Sequence, residues 1–354
     1  MMRKILAAVV LVVFAFLAFR HFQPEIGERL FARAAAANVG RDVRDGLPDG
    51  LHVALCGAGS PLSASTRAGP CTAVIAGRRV FIVDTGGGSV RTLGAMGLPV
   101  GDVEALLLTH FHSDHIDGIG ELMTLRWASS GSATPLPVYG PPGVDAVVEG
   151  LNAAYALDRG YRVAHHGADI VPPAGHGAAP HVFPADRPLV VLDDGGLRVT
   201  AFPVRHDPVR PAVGYRFDYA GRSVVISGDT APDPIVAEQA KGADILVHEA
   251  LNAGMVSVLE RALRADGNAR AAKIMSDIPG YHASPGDAAR AAATANVRML
   301  VLNHVVPPLP LRILEPYFLR DATTHYEGPI VVGADGMLFS LPRGADTIKR
   351  DDLL

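Results

Sequence analysis

Residues 110–115 read His-Phe-His-Ser-Asp-His and follow directly on the apolar stretch Ala105–Leu108. A strand ending in such a loop, with a helix beginning near Asp117, can aim all four ionisable side chains into one cavity. Neutral imidazole and carboxylate are the donors that a borderline metal such as zinc accepts. Three histidines and one aspartate within six residues would be costly to place in an apolar setting without a metal to hold. The chain is thereby restricted to folds in which a strand end opens on a polar cavity.

The rest of the chain supplies such strands. From Leu51 onward, apolar runs alternate with Gly/Pro punctuation. Leu51–Leu55, Thr72–Ile75, Val80–Val83 and Ala105–Leu108 read as strands buried on at least one face, with a helix over Ser89–Leu98 and a stronger one over Val144–Leu157. A second set of strands follows at Leu197–Phe202, Gly214–Tyr219, Ser223–Ser227, Ile245–His248 and Met299–Leu302, with helices expected at Pro234–Lys241 and Pro285–Ala295. Two rounds of strands and helices imply an α/β fold with two sheets face to face and helices outside, a four-layer αβ/βα sandwich. Val163–Pro188, rich in Pro, Gly, Ala and His, is expected to form loops over the site. A hydrophobic fraction of 49% and a charged fraction of 19% are enough for a large core and exclude a disordered chain.

His-x-His-x-Asp-His after a strand resembles the signature of metallo-β-lactamase-fold hydrolases, and further matches follow in order. Asp84 in Phe81-Ile82-Val83-Asp84-Thr85-Gly86 looks like the family's buried supporting aspartate, which would hydrogen-bond a ligand histidine or nearby backbone. His206, Asp229 in Ser227-Gly228-Asp229-Thr230, and His304 look like its remaining ligands. Cys56-Gly57-Ala58-Gly59-Ser60-Pro61, His248-Glu249-Ala250 and His282-Ala283-Ser284-Pro285 are similar to the branch that holds ribonuclease Z and the zinc-dependent arylsulfatases. The resemblance spans roughly 51–341 and implies two zinc ions. One would take His110, His112 and His206; the other would take Asp114, His115 and His304; Asp229 would bridge them. Such a pair lowers the pKa of a shared water and offsets charge building up on the substrate. By the same resemblance His282, oriented by Glu249, is the expected proton donor, and Asp114 helps to orient the nucleophile. His166 in the loop-rich segment, and Arg126 and Trp127 on the helix after the motif, are weaker candidates for the pocket wall.

The N-terminus carries Arg3 and Lys4 before fifteen apolar residues, Ile5–Phe19, then Arg20 and His21. That run is short of the ~20 residues of a full span, and no small-x-small cleavage site follows it. Arg20 can snorkel and lengthen the span, which favours an uncleaved anchor over a cleaved signal, with the globular part exported. The expected organisation is an anchor or signal over 1–22, a connector over 23–50, the hydrolase over 51–342 and a polar tail over 343–354. In an exported protein Cys56 and Cys71 could pair, or they are two small buried residues.

The net charge of −4, the absence of a basic insertion and the expected export argue against nucleic acid as substrate. The sequence therefore points to a small-molecule ester, of arylsulfatase or phosphodiesterase type, cleaved by a metal-bridging hydroxide; a homodimer is compatible with it. The alternatives are a ribonuclease Z-type tRNA 3′-endonuclease, a lactonase- or β-lactamase-like hydrolase, and an iron-dependent oxidoreductase of the same fold.

Overall fold

A computed structural model describes residues 2–62 and 66–354. The chain divides into two compact units at Val43/Arg44. The first is dominated by one continuous helix, Met2–Asn38, which runs through Pro24 and buries none of its residues. It is long and apolar enough to cross a membrane, by length and composition.

In the second unit the described residues form two sheets of eight and seven strands. The first sheet contains β1 (Gly50–Gly57), β2 (Cys71–Ala76), β3 (Arg79–Val83), β4 (Val103–Leu107), β5 (Leu136–Gly140) and β6 (Ala178–Val182). The second contains β7 (Leu189–Asp194), β8 (Leu197–Pro203), β9 (Val213–Tyr219), β10 (Arg222–Ile226), β11 (Ile245–Leu251), β12 (Met299–Val306) and β13 (Ile330–Val332). The chain then returns to the first sheet as β14 (Met337–Pro342), beside β1, and β15 (Lys349–Asp352). The polar tail thus provides an edge strand, whose charged residues Lys349–Asp352 suit an exposed edge.

Alternation along the strands sets the layers. Leu51, Val53, Leu55, Phe81, Val83, Ala105 and Leu107 face Val199, Ala201, Val213, Tyr215 and Phe217 in one core between the sheets. The intervening residues of the second sheet, Phe202, Val225, Leu246, Leu300 and Leu302, pack outward against the helices Pro234–Gln239 and Pro285–Ala295. The latter helix presents Ala288, Ala289, Ala292 and Ala295, and these small side chains let it lie close to the sheet. Its start is fixed by a capping box between Ser284 and Asp287, with Pro285 at the first helical position. Strands covered on both faces read as continuous apolar runs, which is why the sequence exposed them so clearly. Cys56 and Cys71, on neighbouring strands, form a disulfide with Cα atoms 5.0 Å apart.

Three elements differ from expectation. The helix expected over Val144–Leu157 breaks at Tyr155 into Val144–Ala154 and Ala156–His166. The Tyr155 ring sits against Gly120, where a Cβ would lie 2.2 Å from its hydroxyl, so tertiary packing sets the break. The segment expected to be loops, Val163–Pro188, contains the last four residues of the second of these helices and strand β6. A hairpin of helices, Ala253–Ala265 and Ala269–Asp277, had no counterpart in the sequence reading.

Candidate metal centre

The site lies at the C-terminal ends of strands from both sheets. β3 leads to Asp84, β4 to the 110–115 loop, β8 to His206 and β10 to Asp229; β12 carries His304. Two bonds lock the sheets together beneath it: the Tyr215 hydroxyl donates to Leu108 O at 2.6 Å and Val213 N donates to Thr109 O at 2.9 Å. His304 is the extra residue where the β11–β12 register slips, and it adopts a left-handed φ of 44°. A bulge of this kind re-aims a side chain at a functional rim.

Asp84, also left-handed with φ 56°, organises the ligand loop. Its Oδ1 accepts from Thr109 N at 2.8 Å, while its Oδ2 accepts from Thr109 Oγ1 at 2.7 Å and from His115 Nδ1 at 2.8 Å. Gly86 allows the close approach behind the loop: a Cβ there would lie 2.1 Å from Asp114 O and 2.5 Å from Gly69 C.

The candidate ligands converge. Donor atoms of His110, His112, His206 and Asp229 lie within 4.8 Å of one another, as do those of Asp114, His115 and His304. His206 Nε2 is 3.5 Å from His112 Nδ1 and 4.0 Å from Asp229 Oδ2. On the other side, His304 Nε2 is 3.3 Å from Asp114 Oδ2 and 3.4 Å from Asp229 Oδ2, and His115 Nε2 is also 3.4 Å from Asp229 Oδ2. Tetrahedral zinc with bonds of about 2.1 Å separates its ligands by about 3.4 Å, so these edges have the right length. Asp229 Oδ2 is a member of the first group and lies 3.4 Å from two donors of the second.

The electrostatics fit a cation as well. Burial holds His110 well below the usual histidine range, and burial also lowers His112 and His206, leaving lone pairs free to ligate. Burial opposes ionisation of Asp229, but His304 and His115 hold its carboxyl well below the usual range. Burial likewise opposes a charge on His115, yet Asp229 and Asp84 raise it well above the ordinary value. His115 Nε2 is buried with no protein hydrogen-bond partner and lies 3.4 Å from Asp229 Oδ2. The residues present therefore fit a pair of divalent metal ions.

Two further expected residues join the site. His282 Nδ1 donates to Glu249 Oε1 at 3.0 Å, and the same oxygen accepts from Ala283 N at 2.9 Å and Thr230 N at 3.2 Å. Burial alone would lower His282, but the Glu249 charge and hydrogen bond raise it to about 9. His282 lines a cavity of about 370 Å³ above the cluster, with His112 and Asp114 at its base and Ile274, Met275 and Ile278 of the unforeseen hairpin as its wall. Tyr281 was also missed: its carbonyl accepts from His206 Nδ1 at 2.9 Å.

Three expected pocket residues are not brought to the cluster. Arg126 donates to Val103 O at 2.7 Å and Thr134 O at 3.1 Å, which ties down its own helix. Trp127 is fully buried in the core, with Nε1 donating to Pro172 O at 2.7 Å. His166 is exposed at the end of helix Ala156–His166.

A metal-binding cluster at the strand ends of an αβ/βα sandwich defines a metal-dependent hydrolase. A family profile described as Beta-lactamase superfamily domain matches residues 79–305. Ribonuclease Z of Mycobacterium avium (strain 104) is 39% identical over 287 residues, covering 80% of this chain and 96% of that one. Ribonuclease Z of Mycobacterium bovis (strain BCG / Pasteur 1173P2) is 36% identical over 288 residues, with the same coverage. The chain belongs to the β-lactamase superfamily, on its ribonuclease Z branch. Among solved structures, human tRNase Z, short form, aligns with a TM-score of 0.59 at 21% identity, covering 82% of this chain and 99% of that one. A diphosphatase from the PhnP family aligns at 0.57 with 18% identity, covering 83% and 99%. These two support the fold.

The relatives correct one expectation. The net charge had pointed to a small-molecule ester and away from nucleic acid, yet proteins named ribonuclease match most of the chain. Net charge averages over the whole surface, whereas a cleft whose charge comes from bound cations attracts phosphate locally. The expectation is withdrawn.

Proposed function

We propose that this protein is a zinc-dependent phosphodiesterase that cleaves RNA in the manner of ribonuclease Z. The observation that carries the reading is 39% identity across 96% of the length of a ribonuclease Z, in a chain whose fold groups seven metal-ligating side chains at one rim. His110, His112 and His206 would hold one zinc and Asp114, His115 and His304 the other, with Asp229 shared. When bound, such a pair lowers the pKa of a water and offsets charge developing on phosphorus.

The protein's own groups do the rest. Asp84 keeps the His115 tautomer whose Nε2 faces the centre. Asp114 accepts from the nucleophilic water and orients it. As the P–O bond to the leaving group breaks and the new P–O bond forms, cationic His282 gives its proton to the leaving oxygen, with Glu249 stabilising that charge. His282 also offers a donor atom within 4.8 Å of those of Asp229 and His304, and its Nδ1 is held by Glu249.

The test is cleavage of a precursor tRNA with a 3′ trailer by purified, metal-quantified protein, beside His110→Ala. Trailer release that needs about two zinc per chain and vanishes in the variant is expected. Stoichiometric zinc with no cleavage of any RNA offered would refute the substrate, and wild-type turnover by His110→Ala would refute the site.

We further propose that residues 5–19 anchor the chain in a membrane with the catalytic unit on the oxidising side, so that its RNA is met there. The apolar helix and the Cys56–Cys71 disulfide support this. Alkaline phosphatase fused after Leu354 should be active in cells; an inactive fusion beside an active cytoplasmic reporter would reverse the orientation.

A further inference from the structure

Most of the candidate ligand histidines are held from behind in a consistent way. His115 Nδ1 is anchored by Asp84, His206 Nδ1 by the Tyr281 carbonyl, and His110 Nδ1 by Thr109 Oγ1 at 3.0 Å. Such rear contacts fix the tautomer and the ring plane of a metal-binding imidazole. His112 has no such contact and is half-buried; the buried His304 has none either. Its Nε2 faces Asp114 and Asp229, which leaves Nδ1 pointing away from the cluster. No protein group hydrogen-bonds that nitrogen, although His304 is only 3% exposed.

Besides His115 Nε2, which faces the cluster, Glu249 Oε2 and Asn303 Oδ1 share this condition. Glu249 uses its other oxygen for His282, Ala283 and Thr230, and Asn303 uses its amide nitrogen for Thr72 Oγ1 at 3.4 Å. Glu249, Asn303 and His304 line one small cavity of about 20 Å³ beneath the cluster, together with Thr72, Ser227 and Asp229. A water needs roughly 10–15 Å³ of free movement for its centre and two to four polar partners. The chamber meets both conditions.

The chemistry of the three atoms is complementary to one molecule. With Nε2 turned to the cluster as a lone-pair donor, His304 Nδ1 carries the hydrogen. A carboxylate oxygen and an amide oxygen are acceptors. One water can accept from His304 and donate to Glu249 and Asn303, satisfying three groups that would each be costly to bury unpaired.

We propose that a single structural water sits in this chamber and serves as the rear anchor of His304, with Asn303 as a positioning residue. The water also links His304 to Glu249, and through Glu249 to His282. One hydrogen-bonded path therefore orients both a ligand of the centre and the proton donor above it. The inference rests on the zinc-centre reading given above.

The test combines a high-resolution crystal structure of the zinc-loaded protein with zinc affinities. A density peak within hydrogen-bond distance of His304 Nδ1, Glu249 Oε2 and Asn303 Oδ1 is expected. A dry chamber, or a direct protein bond to His304 Nδ1, would overturn the proposal. Competition with a chromophoric chelator should show Asn303→Leu binding one zinc about 10–100-fold more weakly. Asn303→Ser, which keeps an oxygen and room for the water, should stay near wild type, and it serves if the leucine variant does not fold. Equal zinc affinity in wild type and in a folded Asn303→Leu would remove the positioning role. Absence of zinc binding by wild-type protein would instead bring down the metal centre itself.

Discussion

Replacing Asp84 by Asn tests how far a residue that touches no metal controls the centre. The carboxylate accepts three hydrogen bonds of 2.7–2.8 Å, from Thr109 N, Thr109 Oγ1 and His115 Nδ1. An amide offers one oxygen and one NH2 in place of two acceptor oxygens. With the NH2 toward Thr109 N, two buried donors oppose each other. With the NH2 toward His115, the imidazole must turn its lone pair to Nδ1 and its hydrogen to Nε2, the nitrogen that faces Asp229. Either orientation loses at least one charge-assisted bond, worth about 1.5–3 kcal/mol. At 1.4 kcal/mol per tenfold, that is about 10–150-fold in zinc affinity. The second orientation concentrates the loss on the ion held by Asp114, His115 and His304. Chelator competition at fixed pH, with two-site fitting, reads the effect directly. Asp84→Asn protein that binds both zinc ions with wild-type affinity would refute the claim that Asp84 sets the His115 tautomer.

Gly86→Ala places a methyl 2.1 Å from Asp114 O, so the ligand loop must shift; zinc binding should fall below two equivalents per chain while circular dichroism stays native. Full occupancy would show that the loop has slack. In metal-stripped protein, His282 is raised to about 9 with Glu249 beside it, so its folded value lies above its unfolded one. Its stabilising contribution is then complete below about pH 6.5 and is lost as the pH rises through about 9. Thermal unfolding of the apo protein should show this decline, Glu249→Gln should flatten it, and a parallel profile in both proteins would dissociate His282 from Glu249.

Legibility followed the range of the interactions. The 110–115 loop could be read because its ligands are contiguous and flanked by an apolar strand. Asp84, His206, Asp229 and His304 were placed through the resemblance to the metallo-β-lactamase fold, and each follows or sits on a strand. The two layers of sheet were legible because their apolar runs are unmistakable. The helical hairpin Ala253–Asp277 was not read, although its caps, Asn252 and Asn268, are visible signals in retrospect. Arg126 and Trp127 follow the motif along the chain, and that alone does not place a side chain in the cavity. Their helix turns Trp127 into the core, where it reaches Pro172. The Tyr281 carbonyl behind His206 and the chamber behind His304 leave no trace in residue type, since a carbonyl is present at every position.

The charge argument failed for a related reason, and the structure converts it into a measurement. Several arginines and lysines of the second unit are engaged with carboxylates: Arg210 with Asp207, Lys273 with Asp277, Arg264 with Glu260 and Arg312 with Glu315. These pairs contribute little net field, so the proposed RNA reading assigns the attraction mainly to the metal ions and to the phosphates next to the scissile bond. With about two or three phosphates neutralised, the logarithm of the apparent affinity should fall against the logarithm of salt concentration with a slope of about −1.4 to −2.1 for single-stranded RNA. Steady-state cleavage across a tenfold range of potassium chloride measures it. A slope near −5 would mean that a basic surface grips the RNA, and that the ion pairs open to form it. A slope in the expected range would mean that an acidic chain can cut RNA with the field of its metal ions alone.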